Sequence, residues 1–342
     1  MSLPTPYYHD ETAGITIYHS RCEDVIPHLT PSSVDLVLTD PPYFRVKDEP
    51  WDRQWNNRES FLSWIGALCD EWRRVLKPNG TLAVFASPDM AWFVEREVRE
   101  RFNVMNTIRW VKDAGWHNKT ERAALRSFLS PWEAIILAEQ FADEYEDAAL
   151  ALHKQVFSPL GRYIQQERER AGLTRNDVEV ALGFTSTNDP TRGTALCYRW
   201  EEGSSLPTAE TYERLREVLN RSGNDDYLRR EYEDLRREYE DLRRPFSLKQ
   251  RDEATDVVTF KTVPPGYLKH PCEKPLSLIE HMMRTTTKPG ALVLDTFVGS
   301  GTTLAAARNL NRQAIGIDTN QRHCDEAVSR LQQSVLPLGE VA

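Results

Sequence analysis

The run ALVLDTFVGSGTTLAAARNLNRQAIGID, residues 291–318, is the most restrictive stretch of this 342-residue chain. It reads as an apolar strand (291–297), a Gly-rich turn, a helix (302–310) and a second strand (313–318). Two buried strands joined through a helix lie parallel in one sheet, and a parallel sheet needs cover on both faces. The rest of the chain supplies that cover. ITIY at 15–18, VDLVLT at 34–39, TLAVFA at 81–86, a segment near 104–112 and WEAIILA at 132–138 read as further strands. Helical spacing occurs over 60–76, near 89–101, and from Pro275 to Met283, where the proline stands in the first turn. A doubly wound α/β fold is the expected class.

The pattern breaks after about residue 140. Residues 160–219 read as short helices with turns, and 227–244 repeat the unit LRREYED, with Leu228, Leu235 and Leu242 spaced by seven and Tyr232 and Tyr239 on the same seam. That segment is expected to be a solvated helical strut, or alternatively a homodimer contact. The expected organisation is a catalytic half (1–150), a small helical insert (155–224), the charged helix (225–245) and a cofactor-binding half (246–342). Five widely spaced cysteines without a CxxC pair exclude a disulfide framework or a zinc site as the organising element, and no metal is expected. No apolar run approaches eighteen residues, and MSLPTPYYHDETAG has no signal-peptide pattern, so a cytosolic protein is expected. A net charge of −9 argues only weakly against a nucleic-acid partner, because the field at the binding face is what matters.

In LVLDTFVGSGTT, Gly299 and Gly301 let the backbone take positive φ and approach a ligand, while the helix from Thr302 aims free N–H groups at it. Asp318, at the end of the next strand, is placed to accept hydrogen bonds from ribose hydroxyls. Leu304 stands where a dinucleotide fingerprint needs a third glycine, and no Lys follows as in a P-loop. A nucleoside cofactor without a diphosphate remains, and S-adenosylmethionine qualifies; an ordinary strand-to-helix turn is the plain alternative.

Asp40-Pro41-Pro42-Tyr43 follows the second strand directly, and two prolines force the chain out of the sheet. A carboxylate beside a backbone carbonyl can accept both hydrogens of an exocyclic amine and aim its lone pair at an electrophile. Asp40 and the Pro41 carbonyl are the candidate acceptors, Pro42 stiffens the turn, and Tyr43 offers a face for an extruded base. A Pro-rich turn with an Asp cap is the alternative reading.

Taken together, TDPPYF, HPCEKP at 270–275 and DTFVGSGTT resemble the amino-group DNA methyltransferases that use S-adenosylmethionine, in the motif order of their β group. KPNGTLAVF and PWEAIILAE resemble supporting strands of the same fold. The resemblance implies a Rossmann-like methyltransferase fold with circularly permuted motif order, and a base-flipping reaction on duplex DNA. It favours adenine N6, with cytosine N4 as the alternative. Asp295, Phe297, Gly299, Ser300, Gly301, Thr302, Thr303 and Asp318 are implied to hold the cofactor. His270, Lys274 and Pro275 are implied to shape its methionine end, with Lys274 facing the carboxylate. Ser20-Arg21-Cys22 departs from the Gly-Asp-Cys that members often carry, so either Glu23 or Asp24 substitutes for the acid or cofactor affinity is low.

GRYIQQERERAGLTRNDVEVALGF and CYRWEEGSSLPTAETYERLREVL resemble the helix-turn-helix of phage repressor and Cro-like proteins. A helix near 191–202 is expected to enter the major groove, with Arg192, Thr194, Tyr198 and Arg199 as DNA contacts. Arg109, Lys112, Lys119, Arg122 and Arg126 are expected to add affinity or to be a solvated face, and Trp110 and Trp116 to lie near DNA or in the core. A restriction-modification enzyme, a solitary phage-type enzyme, and a DNA-binding regulator with a vestigial methylase half all fit this reading, and a protein or RNA methylase is a further alternative against which the helix-turn-helix argues.

Overall fold

The computed structural model describes residues 3–46, 48–112, 125–140, 147–203, 205–221, 226–250, 252, 254–264 and 273–333, with 147–158 described by backbone alone. His270, Trp116, Lys119 and Arg122 lie outside the described residues. The chain forms two compact units, Met1–Asp143 with Pro245–Ala342, and Glu144–Arg244.

The first unit begins with strands β1 (Tyr8–Asp10) and β2 (Ile15–His19), a short helix α1 (Cys22–Val25) and β3 (Val34–Thr39). Helix α2 (Arg58–Val75) follows, opened by a capping box between Asn57 and Ser60. Then come β4 (Leu76–Ala86), α3 (Ala91–Arg99), β5 (Asn103–Val111) and β6 (Trp132–Glu139). Lys77-Pro78-Asn79-Gly80, residues that favour a turn, instead form a bulge within β4. Val34 faces Leu76 but Leu36 faces Thr81, so the extra residues leave the ladder.

The chain then builds the second unit from α4 (Asp147–Arg170), α5 (Arg175–Leu182), a hairpin of β7 (Thr185–Ser186) and β8 (Asp189–Gly193), α6 (Leu196–Glu201), α7 (Ala209–Leu219) and α8 (Tyr232–Leu242). Its core gathers Ile164, Val178, Leu182, Trp200, Tyr212 and Leu215. Leu235 is buried in that core, and Tyr232, Tyr239 and Leu242 pack against it. The heptad seam is therefore spent inside this unit, which corrects the expectation of a solvated strut. The helix is also shorter than 227–244; Leu228 is left-handed (φ 51°) and lies outside it.

The first unit is completed by β9 (Val257–Thr259), α9 (Leu276–Thr286), β10 (Leu292–Asp295), α10 (Thr302–Asn309), β11 (Gln313–Asp318) and α11 (Gln321–Gln332). Among the described residues its strands lie in the order β1-β2-β11-β10-β3-β4-β6-β5-β9. The central five, β2 through β4, are parallel. Strand β6 runs against both neighbours, and β1 against β2. The alternation of VDLVLT serves both faces: Val37 packs with Ile65, Trp72 and Val94, while Leu36 and Leu38 pack with Met282, Leu304 and Ala327. This is a mixed α/β fold built on a large parallel sheet. From β3 the chain proceeds outward to β4, and from β10 it proceeds the other way to β11. The order thus reverses between β10 and β3, and a crevice opens beyond their carboxyl ends. Among the described residues, no helix is long and apolar enough to cross a membrane.

Candidate active site

That crevice is a cavity of about 1160 Å³. Asp40, Pro41, Pro42 and Tyr43 line it from the end of β3, and Asp295, Phe297, Gly299, Ser300, Thr302 and Thr303 from the loop between β10 and α10. Asp318 and Lys274 line it as well, whereas Gly301 and Pro275 of the expected set do not. Two stretches some 260 residues apart in sequence thus share one pocket. Thr39 stitches them together: its hydroxyl bonds to the Asp295 carboxylate (3.1 Å) and to the Thr296 hydroxyl (2.9 Å).

The turn after β3 is held from below. The Asp52 carboxylate, fully buried, accepts the Tyr43 N–H at 2.7 Å, and the Asp52 carbonyl accepts the Arg45 N–H at 2.8 Å. Phe44 and Arg45 are both left-handed (φ 60° and 65°), which costs free energy in residues with a Cβ and is sustained here by that fixing. Asp52 is not part of any recognisable motif, and no local sequence signal identified it.

Asp40 sits among charges. Lys274 donates to its Oδ2, and Lys274 lies 3.4 Å from Glu133 as well. Oδ1 of Asp40 is buried and has no hydrogen-bond partner among the described residues. Burial pushes the Asp40 carboxyl above the ordinary carboxylate value, against the pull of the Lys274 ammonium. The Tyr43 hydroxyl donates to Glu133 at 3.1 Å, and burial raises the Tyr43 phenol well above its usual value.

In the Gly-rich loop, Gly299 (φ 49°) and Gly301 (φ 81°) are both left-handed. A Cβ on Gly301 would lie 2.7 Å from Cβ of Ala327 on α11, so this glycine serves helix packing and does not line the cavity. Gly299 donates its N–H to Asp318 Oδ2 at 2.9 Å, while Asp318 Oδ1 accepts the Asn320 N–H at 2.8 Å. His323 Nδ1 lies 3.2 Å from the same carboxylate, and that hydrogen bond raises the imidazole above its ordinary value. Burial pushes Asp295 up to about 6.

Several expectations change. Lys274 was expected to face a ligand carboxylate; it faces Asp40 and Glu133, because a buried ammonium seeks buried counter-charges. Pro275 caps α9 and does not line the cavity. Lys112 is no surface lysine: it is paired with Glu133 at 2.6 Å inside the cavity wall. Trp110 is buried beside the same cavity, its indole N–H donating to the Phe260 carbonyl. At the departure Ser20-Arg21-Cys22, Glu23 lines the cavity and Asp24 does not. Glu23 accepts from Trp64 Nε1 (2.8 Å) and Arg21 (3.0 Å), and Trp64 packs against Phe297.

In the second unit, the helix expected near 191–202 begins only at Leu196. Arg192 lies on strand β8 and Thr194 between that strand and α6. The Glu179 carboxylate fixes this start, accepting the Ala195 and Cys197 N–H groups at 2.8 Å each. Arg192, Thr194, Tyr198 and Arg199 are all exposed, with the Arg175 guanidinium 5.3 Å from the Tyr198 ring centroid.

A family model described as DNA methylase matches residues 34–329. The DNA adenine methyltransferase YhdJ of Escherichia coli (strain K12) is 23% identical over 321 residues, covering 92% of this chain and 82% of the relative. The type II methyltransferase M2.DpnII of Streptococcus pneumoniae is 24% identical over 348 residues, covering 96% and 93%. Among solved structures, the cytosine-N4-specific PvuII DNA methyltransferase has a TM-score of 0.55 at 13% identity, covering 98% of this chain and 90% of that one. TTHA0409 from Thermus thermophilus has a TM-score of 0.50 at 17% identity, covering 94% and 96%. At these identities the structural likeness is one of fold.

Proposed function

The chain belongs to the DNA methylase family, and from that membership we propose that it transfers a methyl group from S-adenosylmethionine to the N6 amino group of adenine in duplex DNA. The observation that carries the reading is the buried Oδ1 of Asp40, without a hydrogen-bond partner among the described residues, in a residue lining a cavity shared with the Gly-rich loop. A buried carboxylate oxygen without a donor is costly, and a substrate amine supplies the donor it lacks.

The residues present fit the cofactor. Gly299 and Ser300 offer backbone at a helix start, and Asp318 keeps a lone pair on Oδ2, which accepts the Gly299 N–H, for a ribose hydroxyl, while its Oδ1 already faces the Asn320 N–H and His323 Nδ1. Glu23 supplies a carboxylate on the cavity wall where the usual family acid is replaced by Arg21. Bound there, S-adenosylmethionine supplies an electrophilic sulfonium methyl. Asp40 Oδ1 and the Pro41 carbonyl accept the two amine hydrogens and turn the nitrogen lone pair toward the methyl. Pro41 and Pro42 keep this geometry preorganised, and Tyr43 stacks on the flipped base. The nitrogen sheds its proton once the bond has formed, so Asp40 acts mainly as acceptor and orienting group.

Motif order supports a circularly permuted arrangement, since the Asp40 strand precedes the cofactor strand in sequence. The segment 155–224 serves as the target-recognition insert between the halves 1–150 and 246–342, with 225–245 as its charged helical companion. α5 and α6 form a helix-turn-helix whose turn is enlarged into the β7–β8 hairpin, and Arg192, Thr194, Tyr198 and Arg199 contact duplex DNA from it. The adenine assignment follows the name of the E. coli relative and the Asp at position 40; cytosine N4 is the alternative product. A cytosolic enzyme is the expectation.

Asp40→Ala is expected to abolish methyl incorporation from labelled cofactor while cofactor affinity, measured by calorimetry, stays within about twofold. Undiminished transfer by the variant would overturn the assignment. Sequencing of modified bases in DNA from expressing cells identifies adenine or cytosine as the product, and a chain that binds DNA but modifies nothing is a regulator.

A further inference from the structure

Four charged side chains from four different elements meet under the Asp-Pro-Pro-Tyr turn. Asp40 follows β3, Lys112 follows β5, Glu133 lies in β6 and Lys274 precedes α9. Their contacts alternate in sign: Asp40 to Lys274, Lys274 to Glu133 at 3.4 Å, and Glu133 to Lys112 at 2.6 Å. Glu133 also accepts the Tyr43 hydroxyl on the oxygen that faces Lys274. Its side chain is 13% exposed and that of Lys274 7%. Burying such charges is favourable only when each keeps its partners. Glu133 lies in PWEAIILAE, which in the sequence reads only as a supporting strand, yet its carboxylate touches both the cation on Asp40 and the hydroxyl of the ring beside it.

We propose that Glu133 is a positioning residue for methyl transfer: it anchors Lys274 and the Tyr43 hydroxyl on one carboxylate, so that Asp40 is held by Oδ2 and presents Oδ1 to the amine. The inference rests on the reading of Asp40 as the amine acceptor. Removing Glu133 releases the tyrosine ring and leaves the Lys274 ammonium to Asp40 alone, even though Asp40 itself is untouched. The chain also sets where Asp40 protonates. The groups facing Asp40 are Lys274, Glu133, Tyr43 and, across the strand gap, Asp295. Lys274 favours the ionised form, and Glu133 opposes it. Protonated Asp40 carries a donor and loses acceptor capacity, so transfer falls on the acid side of its titration.

The test is the single-turnover rate against pH, with saturating cofactor and unmethylated bacterial genomic DNA as substrate. Glu133→Gln is expected to lower the rate tenfold or more near neutrality and to move the acid limb to lower pH. Lys274→Gln is expected to move the limb to higher pH, by about one unit or more. Lys274→Arg, which keeps the charge, is expected to leave the limb in place. A role in folding alone would lower rates without moving the limb in opposite directions. Limbs that coincide with wild type in both glutamine variants overturn the proposal, provided Asp40→Ala is inactive. An active Asp40→Ala instead overturns the underlying reading. Should Lys274→Gln fail to fold, the limb of Glu133→Gln decides alone: a shift to lower pH supports the proposal, and no shift defeats it.

Discussion

Asp295 is buried at the cavity wall, accepting hydrogen bonds from Thr39 and the Phe297 N–H. Its carboxyl titrates at about 6 in the folded chain, against about 3.9 for an unperturbed Asp. The folded state therefore holds this proton more tightly than the unfolded state does. The contribution to stability is full below about pH 4 and is lost as the pH rises through about 6. Asp295→Asn keeps an acceptor oxygen and cannot ionise. It is expected to be more stable than the parent by on the order of 2 kcal/mol at pH 8, with the difference vanishing near pH 4. Urea titrations at the two pH values measure this. Asp295 was legible in the sequence as a strand-end carboxylate beside the Gly-rich loop, but its burial and its bond to Thr39 were not, because both depend on β3 lying next to β10.

At the scale of elements, the loop between β10 and α10 is shaped by what packs behind it as much as by what it faces. Gly301 is left-handed and nearly touches Ala327 of α11, whose backbone cannot retreat from a new methyl group as a flexible side chain could. Gly301→Ala is expected to destabilise the chain by about 2 kcal/mol or more, combining the left-handed penalty with the clash. Thermal unfolding of the variant checks this, and a larger side chain on α11 in place of Ala327 should have a similar effect. The strand-turn-helix was readable from LVLDTFVGSGTT because its periodicities are local. The start of α6 was not. It depends on the Glu179 carboxylate from α5 reaching the Ala195 and Cys197 N–H groups, a contact that spans 16 and 18 residues. The strand at Asp189–Gly193 was missed for the same reason: two short, exposed strands carry almost no apolar alternation, and the hairpin exists because its neighbours fix it.

On the scale of the whole molecule, a chain of net charge −9 must bind a polyanion through local positive surface. Arg192→Ala and Arg199→Ala are each expected to weaken duplex binding and to reduce the slope of log affinity against log salt by about one, with cofactor affinity unchanged. Filter binding at several salt concentrations measures it, and identical slopes would remove these residues from the interface. The sequence by itself determined the class of fold, the two motifs and their order, because strand periodicity, proline stops and glycine turns are written in neighbouring residues. Only the tertiary structure decided that Lys274 serves Asp40, that Lys112 and Glu133 belong to the same buried chain of charges, and that Asp52 supports the turn. Ion pairs of this kind join residues from separate strands and loops, and the distance between their side chains is fixed by the register of the sheet, which spacing along the chain does not encode.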